Sequence, residues 1–161
     1  MDYKNIDIKI TQWLDILSEP IKIINPQISF VDESFEHTWN KYDSEMEFTA
    51  SMNLLGNLYF TITLGLNRSA LIYVADKIFG MDIVALGDEE MYGEGAKEFL
   101  NIIAGNSKNK LLETGFEFEL SLPEQINWKS MSPGDSSQIG CRSFCFENNV
   151  INLIIEVWQA N

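Results

Sequence analysis

Histidine is almost missing from this chain of 161 residues: His37 stands alone, in a polar stretch. That scarcity removes most designs in which a protein carries its own general base, and a lone histidine of this kind is ordinarily solvated. Cysteine is scarce too. Cys141 and Cys145 fall four apart in a predicted strand, on one face but too distant along it for an easy disulfide. Two buried thiols are the expected outcome, and no further metal ligands lie near them. Basic residues number 11 against 24 acidic ones, for a formal net charge of −13. A field of that sign repels phosphate backbones and anionic membranes, so neither nucleic acid nor membrane is an expected partner. A protein with a basic rim fits better. No apolar run approaches the roughly 20 residues of a membrane-spanning helix. The start, Met1 to Asp7, lacks the basic and apolar blocks of a signal peptide, which makes the cytoplasm the expected location. Phosphate loops of the Walker type, dinucleotide fingerprints and nucleophile elbows are missing as well.

What is present is globular in character. Hydrophobic residues make up 45% and aromatics 12%, and the length suits one domain spanning 1–161. Ile6, Ile10, Trp13, Leu14, Leu17 and Ile21 recur at helical spacing, with Pro20 expected to end or bend that helix near Glu19. A strand is possible around Ile28 to Val31. Met46–Met52 and Leu58–Leu64 alternate around Leu55-Gly56-Asn57, the pattern of a β-hairpin. Asn67 or Ser69 can cap a helix over Ala70–Phe79 that stops at Gly80. A long helix follows from Asp88 to Thr114, although Gly93 and Gly95 weaken its first turns. Strands are expected at Phe116–Leu120, Ile126–Met131, Gln138–Phe146 and Val150–Trp158, with a Ser132–Asp135 loop between the second and third. The sum is an α+β fold, a largely antiparallel sheet with helices packed on one face.

The acidic residues Asp32, Glu33, Glu36, Asp43 and Glu45 read as a solvated loop. Asp88, Glu89 and Glu90 suit the positive end of a helix dipole. The long helix is more informative. At 100° per residue, Glu94, Glu98, Asn101, Gly105 and Lys108 fall in a narrow arc, opposite Tyr92, Ala96, Phe99, Leu100 and Ile103. A carboxylate and a carboxamide three residues apart lie side by side on such a face, and Gly105 lets another backbone approach. Spacing alone is compatible with a plain hydrated face: Glu124-Gln125-Ile126-Asn127 repeats it outside any predicted helix.

The wider text around this pair resembles the CheC/CheX/FliY family of chemotaxis phosphatases, and CheX in particular. That family's motif is Asp or Ser, three residues, Glu, two residues, Asn, and a proline some two dozen residues later; here it reads Glu94, Glu98, Asn101 and Pro123. Asn101-Ile102-Ile103-Ala104-Gly105-Asn106 continues the likeness, as do Gly56–Phe60, Ile78–Met81, Thr114–Phe116 and Ser121–Pro123. Glu94 replaces the usual Asp or Ser, and the interval to Pro123 is one residue shorter than the family's. The first helix carries no second Glu-x-x-Asn, which resembles the arrangement of one site per chain in CheX.

The resemblance implies a phosphatase for the aspartyl phosphate of a CheY-like response regulator. Asn101 would position the attacking water, and Glu98 would pair with the regulator's active-site lysine. Glu94 and Gly105 would add partner contacts. The implied protein has no cofactor of its own, the Mg²⁺ coming with the phosphorylated partner, and it is a homodimer. Two other readings use the same helix without catalysis, as a docking module for receiver domains or as a component of a flagellar switch.

Overall fold

The computed structural model describes residues 3–34, 46–56, 59–130 and 138–158. His37, Glu36, Asp43, Glu45, the hairpin residue Asn57 and the Ser132–Asp135 loop lie outside them. Helix α1 (Tyr3–Ile24) leads into β1 (Ser29–Ser34), then the hairpin β2 (Phe48–Gly56) and β3 (Tyr59–Leu66). Helix α2 (Arg68–Val74) continues without a break as a π-helical turn, Ala75–Phe79. A one-turn α3 (Ile83–Leu86) precedes the long α4 (Glu89–Glu113). Strands β4 (Phe118–Leu120) and β5 (Glu124–Ile126), a 3-10 turn at Trp128–Ser130, β6 (Gln138–Phe146) and β7 (Asn149–Trp158) complete the chain.

The strands form one antiparallel sheet in the order β1-β6-β7-β3-β2-β4, with β5 also on the outer side of β2. Alternation decides which residues face the helices. Met52 and Leu54 of β2, Ile62 and Leu64 of β3, and Leu153 and Ile155 of β7 all turn inward with 1% exposure or less. They meet Trp13, Leu17 and Ile21 of α1, Leu71 and Val74 of α2, and Phe99, Leu100 and Ile103 of α4 in one core. The fold class expected from the sequence is therefore the one observed.

Several local expectations change. Pro20 does not end α1, which runs on to Ile24. It lies close enough to the C-terminus for the buried contacts of Leu17 and Ile21 to carry the last turn across it. The segment expected as a strand over Ile126–Met131 is instead the end of β5 and the 3-10 turn, which places Trp128 over the far face of the sheet with Met46, Cys141 and Ile154. Cys141 is accordingly buried, but Cys145, opposite Ser29 at the other end of β6, is exposed. The cover formed by Met46 and Trp128 reaches only the first of the two thiols.

The far face is unusually polar for a buried surface: Thr63, Asn152 and Glu156 are all within 2% of full burial. Ser143 donates to Asn152 at 2.6 Å. Burial raises the Glu156 carboxyl above its ordinary pKa. Among the described residues, one cation is buried on the helix side. Arg142, 1% exposed, donates to both carboxylate oxygens of Asp32 at 2.6 and 3.0 Å, to Asp15 at 2.8 Å and to Ser18 at 3.0 Å. This guanidinium ties β6 to both β1 and α1, and its ion-pair bonds outweigh desolvation to raise its pKa further.

Candidate functional site

Helix α4 carries the residues singled out in the sequence, and its ends explain where it lies. Asp88 caps it, accepting from the Glu90 N–H at 3.0 Å. At the other end Gly115 takes a left-handed φ of +94°, and Thr114 accepts the indole N–H of Trp13 at 2.8 Å. Near the start, Arg68 donates to Glu89 at 2.8 Å and lies over Tyr92, whose ring stacks on Phe48 at 5.1 Å. The C-terminal half is fastened to α1 by Ser107, which donates to the Ile16 carbonyl at 3.4 Å, and by the Lys110–Glu19 ion pair. Clamped at several points, α4 is a fixed ridge across β2.

Two glycines in its first turns face its neighbours, Gly93 closely and Gly95 at ordinary contact distance. A Cβ on Gly93 would lie 2.2 Å from Oε1 of Gln125, so a larger residue there would displace the carboxamide of that β5 side chain. Gly95 meets Leu71 of α2, where an added Cβ would stand 3.4 Å from Cδ1. These two contacts identify the flanks of the ridge, the β5 edge on one side and α2 on the other.

On the crest, Glu94, Glu98, Asn101, Gly105 and Lys108 are all exposed, as the stripe predicted, while Tyr92, Ala96, Phe99, Leu100 and Ile103 are buried. Among the described residues, neither Glu98 nor Asn101 is engaged in a hydrogen bond or ion pair. Both therefore present solvent-exposed polar groups to whatever approaches. Glu94 differs. Its carboxylate accepts from Lys97 at 2.7 Å, one turn along the helix. Lys97 was not selected from the sequence, although its i+3 spacing from Glu94 carries that signal. A Cβ added at Gly105 would meet nothing within 4 Å, which leaves that part of the crest flat and open.

This arrangement can bind and orient. It offers an acceptor (Glu98) and a group that both accepts and donates (Asn101). Among the described residues no cluster of three or more His, Cys, Asp or Glu could hold a metal ion. No described helix is long and apolar enough to cross a membrane.

Comparison with known proteins bears on this surface. The sequence model of one family, described as chemotaxis phosphatase CheX, matches residues 48–145, a span that includes all of α4. No curated protein matches the chain in sequence. Among solved structures, CheX of Borrelia burgdorferi in a CheX-CheY-BeF3-Mg complex superposes with a TM-score of 0.70 at 20% identity, covering 93% of this chain and 97% of that one. A CheC-like superfamily protein of a Shewanella species gives 0.70 at 18% identity, over 94% and 97% of the two chains. Chemotaxis protein CheX of Vibrio vulnificus gives 0.68 at 14% identity, over 92% and 98%. At these identities the likeness is one of fold.

Proposed function

The chain belongs to the chemotaxis phosphatase CheX family, and from that premise we propose that it hydrolyses the aspartyl phosphate of a CheY-like response regulator. The observation that carries this reading is the exposed Glu98–Asn101 pair on a clamped helix, inside the span that the family model matches.

An aspartyl phosphate is an activated acyl phosphate, so its hydrolysis needs little from a second protein beyond an oriented water. Asn101 has the required groups. Its carboxamide oxygen accepts from the attacking water, and its NH₂ donates to a neighbouring oxygen. The water oxygen bonds to phosphorus as the bond to the aspartyl oxygen breaks. The aspartate carboxylate is regenerated and inorganic phosphate leaves. Glutamine residues of nucleotide hydrolases hold water in an analogous way. Glu98 pairs with the lysine of the receiver's phosphorylation site, a charge-assisted bond that fixes the helix in register. Glu94 and Gly105 line the rim of the contact, Glu94 with Lys97 already attached.

Mg²⁺ is present in the Borrelia complex, and we assign the ion to the receiver, where it would neutralise charge on the phosphoryl oxygens. We also propose a homodimer, as in the family resemblance. β7 is interior to the sheet, which leaves β1 and the β4–β5 edge to pair with a second copy. Sedimentation showing only monomer at every concentration would remove the dimer.

The division of labour sets the test of function. With Mg²⁺ present, the protein should accelerate the decay of a phosphorylated receiver domain and leave acetyl phosphate, a free acyl phosphate, untouched. Equal acceleration of both would show that the chain carries a complete catalytic apparatus. Binding without acceleration of the receiver's decay would favour a docking module.

A further inference from the structure

Helix α4 repeats one arrangement a turn apart. Glu98 and Asn101 are separated by three residues, and so are Glu94 and Lys97. The two pairs are offset by four positions, which on an α-helix is a rise of about 6 Å and a rotation of about 40°. Glu94 therefore stands to Lys97 as Glu98 stands to Asn101, one turn nearer the start of the ridge. The pairs differ in what they leave free. Nζ of Lys97 lies 2.7 Å from Oε1 of Glu94, so that carboxylate is already engaged. Among the described residues, Glu98 and Asn101 make no such contact with each other or with a neighbour.

A cation approaching the crest thus meets two glutamates of equal charge and reach. Only one of them is useful for hydrolysis. A lysine held by Glu98 has the Asn101 carboxamide three residues further on. The same lysine held by Glu94 would have the Lys97 ammonium in that place, and α4 would dock a full turn out of register. A displacement of that size is far beyond what an aligned water attack tolerates. The Glu94–Lys97 pair lies on an exposed face, where an ion pair of this spacing adds little to the stability of the helix. Its larger effect is on a charged partner. Lys97 neutralises Glu94 and sets a positive charge where the partner's own would have to go, so the wrong register carries a like-charge contact.

We propose that Lys97 is a specificity-determining residue: it closes Glu94 to the receiver's lysine and confines docking to the register in which Asn101 reaches the phosphoryl group. This rests on the phosphatase reading above. Lys97 touches neither the water nor the phosphate in this scheme. It acts by removing a competing mode of binding, which gives its loss a kinetic signature of its own. A complex formed through Glu94 occupies the receiver without hydrolysing it, so kcat and KM fall together while kcat/KM holds. Loss of a cation by itself would only steer the receiver differently, changing kcat/KM and leaving kcat alone.

The test is steady-state kinetics on a phosphorylated receiver with Lys97→Met, Lys97→Arg and the double variant Glu94→Gln/Lys97→Met. In Lys97→Met two like carboxylates compete for one lysine, so kcat and KM should each fall about twofold. Lys97→Arg keeps the cation and should hold the wild-type values. The double variant lacks the competing carboxylate and should recover kcat. An unchanged kcat in Lys97→Met overturns the proposal, as does a fall in kcat at constant KM or a fall that the double variant does not restore; in each case the phosphatase stands. Wild-type protein that neither binds nor dephosphorylates any receiver removes both.

Discussion

Arg142 shows how a buried charge is tolerated in this fold. Its two carboxylate partners keep 63% and 51% of their side-chain surface in water, so the pair is half solvated from the acidic side only. Removing a partner and removing the arginine are therefore unequal changes. Asp32→Ala strands part of a buried guanidinium and should cost about 2 kcal/mol. Arg142→Leu leaves two carboxylates that water can reach, and should cost less. Urea melts of the two variants give the comparison, and an Arg142→Leu variant less stable than Asp32→Ala would contradict it.

Glu156 carries the opposite imbalance. Burial raises its folded pKa above the ordinary value of 4.5. Between those two values the unfolded chain binds fewer protons than the folded one, so this group makes stability fall as pH rises. Glu156→Gln should melt like the wild type well below pH 4.5 and above it at pH 8, as thermal melts across that range would show. A constant offset at all pH values would rule out ionisation as the cause. Neither Arg142 nor Glu156 was legible in the sequence, because their neighbours Asp15, Asp32 and Thr61 come from distant strands and helices.

At the scale of elements, period and punctuation were legible and exceptions to them were not. The alternating hairpin and the Asn67 cap stand where the pattern placed them, as does the Gly80 stop. The sequence could not show that Pro20 would be carried inside α1, nor that Gly93 is a seat for Gln125; both depend on what packs alongside. Gly56 is a similar case. Its sequence context marked a turn, but a Cβ there would lie 2.0 Å from the Glu117 carbonyl oxygen, a backbone atom that cannot swing away. Gly56→Ala should push the β4 edge off β2 and cost about 1–3 kcal/mol. Hydrogen exchange should show the loss first at Phe118–Leu120, and unchanged protection there would mean the edge had absorbed the methyl. The register change along β2, where Leu54 faces Leu120 in β4 but Ser51 faces Glu124 in β5, was also hidden, since such a shift leaves no mark in composition.

For the whole molecule, the net charge of −13 gives the account its reach. The proposed docking surface displays an unpaired Glu98 on an acidic body, so association with a receiver should weaken as salt is added. Titrations at rising ionic strength check this, and a salt-independent Kd would argue against the Glu98–lysine pairing. The stripe from Glu94 to Gly105 was legible because helical period is local, and the family resemblance added the roles. The Lys97–Glu94 pair was legible in the i+3 spacing, but the sequence does not show that the two side chains meet. The central claim is that Asn101 holds the water. Its most direct test is the decay rate of a phosphorylated receiver at saturating protein, wild type against Asn101→Ala, with the Kd of each measured in parallel. The account predicts near-equal binding and a rate reduced by at least two orders of magnitude, on the order of what positioning groups contribute. Asn101→Ala protein that binds normally and dephosphorylates at the wild-type rate would contradict it.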